Sequence, residues 1–127
     1  IKEGEGWTDK FGIFHPNEEL TLDPPSPKSY AFCSDTAYHE PVLKLISGVD
    51  LLYHEATFMH ELLSQAELTG HSTAIQAAQI AKAANVKKLI LGHFSSRYAD
   101  PACLMNEAKT VFPETEIAEQ GRTFSVF

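Results

Sequence analysis

A chain of 127 residues fits one ordinary domain with a modest core. Its 43% hydrophobic and 21% charged content is globular rather than disordered, and no apolar run reaches the roughly 18 residues of a membrane span. The formal net charge of −7 argues against a broad basic surface for nucleic acid, so any such role needs a local site or basic surface outside this chain. Two cysteines, Cys33 and Cys103, form neither a disulfide framework nor a CxxC knuckle. They read as reduced, mostly buried thiols of a cytoplasmic protein.

Residues 1–29 read as an extended, Pro-rich lead-in. Gly4, Gly6, Pro16 and Pro24-Pro25-Ser26-Pro27 break any periodicity, leaving at most a short strand around Phe11 to Phe14. His15 and Trp7 are packing or surface residues there. The main domain spans 30–127. Tyr30 to Cys33 is a buried strand. Pro41 to Ile46 is a helix stopped at Gly48, with His39 at its start or on the surface, and Val49 to Tyr53 is a second strand. Phe58 to Gln65 is a short helix.

Thr73 to Ala84 is the strongest helix. Ala74, Ala77, Ala78, Ala81 and Ala84 give it a small-residue face, Thr73 with Gln76 fits a capping box, and Asn85 fits its stop. Val86 to Leu91 is a third strand. Asp100-Pro101 opens a helix faced by Leu104, Ala108 and Val111 and closed by Pro113. Glu116 to Ala118 and Thr123 to Phe127 read as final strands, joined by a hairpin turn at Gly121-Arg122.

Alternating strands and helices predict a largely parallel α/β sheet, whose functional groups gather beyond the carboxyl ends of the strands. Those ends are Ser34-Asp35-Thr36, His54-Glu55-Ala56-Thr57 and Gly92-His93-Phe94-Ser95. A fourth group, Gly70-His71-Ser72-Thr73, precedes the best helix. Parallel pairing brings all four to one rim.

Asp35 and His93 suit a zinc ion, though a zinc site needs more than two protein ligands. Asp35 is equally a turn residue after a strand, and His93 a hydrogen-bonded rim histidine. Glu55 and His71 form a plausible carboxylate–imidazole pair, in which the carboxylate orients a ring able to protonate a leaving group. The plainer reading is a salt-bridging Glu and a His near a helix start. A helix N-terminus favours phosphate, with Ser72 and Thr73 as hydroxyl donors and Arg97 as a bidentate donor or a solvated surface residue. His54-Glu55 does not continue to HExxH, because position 58 is Phe; no Walker loop, GxSxG or Rossmann fingerprint is present.

The HEAT box at 54–57 and the HST box at 71–73, in order between Asp35-Thr36 and His93-Phe94-Ser95-Ser96-Arg97-Tyr98, resemble ribonuclease Z. That family comprises tRNA 3′-processing endonucleases of the metallo-β-lactamase superfamily, and the likeness covers roughly residues 24–127. It implies the C-terminal αβ half of a four-layer αβ/βα fold. Asp35 matches a carboxylate bridging two zinc ions, His93 a ligand of one, and Glu55 with His71 a proton-transfer pair at the scissile phosphate. The implied reaction removes the 3′ trailer of precursor tRNA by metal-hydroxide attack on a phosphodiester. The family's HxHxDH box and tRNA-gripping arm do not occur here. With the opening Ile1-Lys2-Glu3-Gly4, this leads us to expect a C-terminal piece that is metal-poor and inactive alone. Its expected partners are precursor tRNA, the missing N-terminal half and a second copy in a homodimer. Alternatives are another zinc phosphodiesterase of the superfamily or a non-catalytic α/β interaction module.

Overall fold

The structure, a computed structural model, describes residues 1–126. The lead-in is more ordered at its start than its composition predicts. Trp7–Thr8 (β1) pairs antiparallel with Phe14–His15 (β2). The intervening turn is tied by Asp9, whose Oδ1 accepts from the backbone N–H of Phe11 at 2.8 Å and of Ile13 at 3.0 Å. A single helical turn, Asn17–Leu20 (α1), follows.

The expected sheet forms from four strands, all parallel. Tyr30–Cys33 (β3), Leu51–Glu55 (β4), Lys88–Gly92 (β5) and Thr115–Ile117 (β6) lie side by side in sequence order. Parallel neighbours need crossovers. Leu43–Ile46 (α2), entered through a 3₁₀ turn at Glu40–Val42, lies in the first. Leu63–Thr69 (α3) and Ala74–Ala83 (α4) lie in the second, and Ala102–Lys109 (α5) in the third.

Side chains alternate across the sheet. Leu52, Leu89 and Leu91 are fully buried on the helical face, in one cluster with Ala77, Ala78, Ala81, Leu104 and Ala108. The alanine face lets α4 lie close to the sheet. Its start carries the expected capping box, in which Thr73 Oγ1 accepts from Gln76 N and Gln76 Oε1 accepts from Thr73 N. Asn85, at φ 52, supplies the left-handed stop. The opposite face is open. Tyr30 and Phe32 are 55% and 63% exposed, and the Phe32 and Tyr53 rings stack at 4.5 Å. With Leu51, Ile90, Phe124 and Val126 they line a shallow groove of about 480 Å³.

Several boundaries move. Phe58 is not helical; it bridges Thr73 in parallel, and the helix begins only after a 3₁₀ turn at His60–Leu62. Ala102 starts α5, with Asp100 Oδ1 accepting from its N–H at 2.9 Å. The expected closing hairpin does not form. Thr115–Ile117 pairs with β5 instead, residues 123–126 make no strand, and Phe127 lies outside the described residues. Arg122 is bonded to Glu116 and lies 4.6 Å from the Phe124 ring centroid, which turns the chain across the open face rather than back along β6. Cys33 and Cys103 are free and only half-buried.

Candidate metal and phosphodiester site

Register places the strand ends together. Cys33 pairs with His54, His54 with Leu91, and Glu55 with Gly92, so residues 35, 55 and 93 leave the sheet at one rim. Asp35 and His93 take left-handed backbone conformations, with φ 55 and φ 58. Non-glycine residues rarely do so, and the turn it makes swings each side chain off its strand axis. His71 follows Gly70, whose φ of 74 caps α3. One ligand atom from each of Asp35, Glu55, His71 and His93 lies within 4.8 Å of the others.

The four differ sharply in what their atoms can still do. Glu55 is fully buried. Its Oε1 accepts from Thr36 N at 2.7 Å and faces His71 Nδ1 at 2.9 Å; its Oε2 accepts from the Thr57 hydroxyl at 2.8 Å and Ser72 N at 2.9 Å. A carboxylate has about four lone-pair sites, and all are taken. Burial alone would raise the Glu55 carboxyl, but the Ser72 N–H, the His71 ring, the Thr57 hydroxyl and the Thr36 N–H outweigh it and hold it below the ordinary range. Glu55 is therefore an ionised anchor with no free lone pair for a metal. It receives Nδ1–H of His71 and leaves Nε2 of that ring for chemistry.

Asp35 and His93 are the available donors. The Asp35 side chain is 74% exposed, with Oδ1 3.5 Å from His71 Nδ1. His93 is exposed beside His71, ring centroids 5.2 Å apart. Carboxylate oxygen and imidazole nitrogen are the donor chemistry of a zinc-type site, which needs three or four ligands; of the four residues gathered here, Asp35 and His93 are exposed, Glu55 is saturated and His71 keeps only Nε2 free. The residues fit part of a metal centre.

The expected phosphate donors separate. Arg97 is exposed; its guanidinium lies 5.0 Å from the Phe58 ring centroid and its Nε donates to Ser95 Oγ at 3.2 Å. Phe58 in turn meets His71 edge-on. Ser72 and Thr73 are fully buried. The Ser72 hydroxyl donates to Thr36 O at 2.7 Å, while Thr73 Oγ1 caps α4 and meets His60 Nδ1 at 2.9 Å. Their hydroxyls hold the rim together, and the capping box occupies the α4 terminus.

Two contributors lay outside the sequence reading. The backbone N–H groups of Thr36 and Ser72 supply half of Glu55's donors, which no side-chain pattern signals. Thr57 was readable only as the last letter of the HEAT box. His54, by contrast, faces the helices. Burial pushes it below the ordinary imidazole range, partly offset by the Glu55 carbonyl that its Nδ1 meets at 2.8 Å.

No protein-family model matches the chain. Over 126 residues it is 49% identical to a ribonuclease Z from Parabacteroides distasonis, covering 99% of this chain and 41% of that protein. A metallo-β-lactamase fold protein from Bacillus subtilis superposes with a TM-score of 0.68 at 29% identity, over 74% of this chain and 38% of that one. A long-form RNase Z from yeast gives 0.60 at 34% identity, over 68% and 12%. The chain thus spans about 41% of the length of the curated relative it matches, and it carries part of the metallo-β-lactamase fold.

Proposed function

We infer that this chain is the C-terminal part, residues 30–127 behind a lead-in, of a ribonuclease Z that cuts the 3′ trailer from precursor tRNA. The observation that carries the reading is the convergence of Asp35, Glu55, His71 and His93 within 4.8 Å at one rim, in a chain 49% identical to a ribonuclease Z. Zinc is the metal we propose, held on this chain by Asp35 and His93 with its other donors from the rest of the protein. When bound, it supplies Lewis-acid activation of water and charge stabilisation at the phosphodiester.

The chain's own part is proton and phosphate handling. Ionised Glu55 fixes the His71 ring through Nδ1, so Nε2 presents its proton to the leaving oxygen. Arg97, held against Phe58, meets a non-bridging phosphate oxygen. Buried Ser72 and Thr73 keep the loop that carries His71 in place. The open apolar face around Tyr30 and Phe32 supports packing of the remaining part of the protein there. A homodimeric, cytoplasmic enzyme accompanies this reading; no described helix is long and apolar enough to cross a membrane.

The test uses full-length, zinc-loaded protein and precursor tRNA with a 3′ trailer. One endonucleolytic cut releasing the trailer is expected. Hydrolysis of small phosphodiesters with the precursor left intact would replace this reading with that of another zinc phosphodiesterase.

A further inference from the structure

The Thr57 hydroxyl touches both halves of the site. It lies 2.8 Å from Glu55 Oε2, 3.1 Å from His93 Nδ1 and 2.9 Å from the His93 carbonyl oxygen. Thr57 is buried, at 7% exposure. A hydroxyl carries one proton and two lone pairs. Of its three possible acceptors, only the Glu55 carboxylate is charged, so the proton goes to Glu55 rather than to the His93 carbonyl or ring nitrogen. Oγ1 is then an acceptor toward His93 Nδ1, which must bear hydrogen to complete the contact.

We propose that Thr57 is a positioning residue that fixes His93 as its Nδ1–H tautomer and so aims the Nε2 lone pair at the metal. The inference rests on the reading of His93 as a ligand. It joins the two tasks of the rim through one side chain. Glu55 orients His71 directly and His93 through the Thr57 hydroxyl, so the proton donor and the ligand share one anchor. Metal-bound imidazoles commonly donate their second N–H to such a partner, and losing it costs about 10–100-fold in metal affinity. The backbone reinforces the link. Ala56 N donates to Gly92 O at 2.8 Å and Ser95 N to Thr57 O at 3.1 Å, stitching the two loops on either side of the hydroxyl.

Full-length protein is the material for the test, with zinc affinity measured by competition against a chromophoric chelator. Thr57→Val, which keeps the shape and removes the hydroxyl, should weaken zinc binding by about 10–100-fold. Thr57→Ser, which keeps the hydroxyl, should stay within about threefold of the parent by the same argument. Ring-nitrogen NMR of metal-free parent protein should show His93 as the Nδ1–H tautomer, a measurement that needs no variant to fold. Parent-like zinc affinity in folded Thr57→Val, or an Nε2–H tautomer in the parent, overturns the proposal. His93→Ala separates the levels. If it loses zinc while Thr57→Val does not, only the Thr57 role fails; if it keeps zinc at parent affinity, the ligand reading fails first.

Discussion

Glu55 Oε1 and His71 Nδ1 meet at 2.9 Å, one side chain fully buried and the other 20% exposed. The contact joins an anchored charge to a ring that still faces outward. His71→Ala should therefore reduce single-turnover cleavage of precursor tRNA by about 10²–10⁴-fold, the usual worth of a positioned acid or base. Zinc content should stay at the parent level. Unchanged cleavage would remove His71 from proton transfer.

Glu55→Gln keeps the shape and removes two acceptor sites, because an amide nitrogen must then face N–H or O–H donors. The fold should lose about 1–3 kcal/mol, the cost of buried groups left without partners. Chemical denaturation of the full-length protein measures it. Cleavage should fall together with stability, in contrast to His71→Ala.

Asp35→Ala acts through the metal. Its exposed carboxylate takes little part in packing, but its left-handed φ of 55 suits Asp better than Ala, so metal-free protein should lose about 1 kcal/mol of unfolding free energy from the backbone alone. Zinc content and cleavage should both be lost. Chelation of the parent enzyme should reproduce the loss, and added zinc should restore only the parent.

The low carboxyl pKa of Glu55 gives stability a pH dependence of definite sign. An unfolded Glu titrates near about 4.3 and the folded one lower. The stabilising contribution is complete above the unfolded value and is lost as pH falls through the folded one. Asp50 acts in the same direction, held low first by Lys87 and then by the N–H and hydroxyl of Ser29. Unfolding free energy should therefore decline below about pH 4, and Glu55→Gln should make that decline shallower.

Gly92 has a steric reason independent of chemistry. A Cβ there would stand 2.1 Å from the Tyr53 hydroxyl and 2.5 Å from its Cζ. Gly92→Ala should cost about 1–3 kcal/mol by overpacking. In a Tyr53→Ala background the same change should cost less, a coupling of about 0.5–3 kcal/mol in a double-mutant cycle. Additive losses would place the strain elsewhere.

Arg97→Ala should leave the fold within about 0.5 kcal/mol of the parent. It should weaken precursor-tRNA binding and lower the salt slope of that binding by about one unit, as expected for one phosphate contact. An unchanged slope would make Arg97 a surface residue.

The rim was legible because parallel pairing is a strong constraint. Once β3, β4 and β5 are strands, the residues after Cys33, at Glu55 and after Gly92 have only one edge to occupy. The alanine spacing of α4 and the Thr73–Gln76 box were legible for the same reason, since local chemistry and packing agree. Hydroxyl direction was not. Ser72 and Thr73 look like phosphate donors in a list of residue types, but they turn inward to Thr36 O and to the α4 cap. The saturation of Glu55 was hidden too, because two of its donors are backbone groups from separate loops. The last strand was misread because Thr123 to Phe127 has the alternation of a strand, while Arg122 ties the chain to Glu116 before it can return.

The rim also has a place in time. Residues 35, 55, 71 and 93 are distant along the chain and meet only after β3, β4 and β5 have paired across their helical crossovers. Contacts of such sequence separation are costly in loop-closure entropy and form slowly. Metal capture at this edge would thus mark the end of folding rather than begin it, and a nascent chain would leave the ribosome with Asp35 made long before His93 could join it.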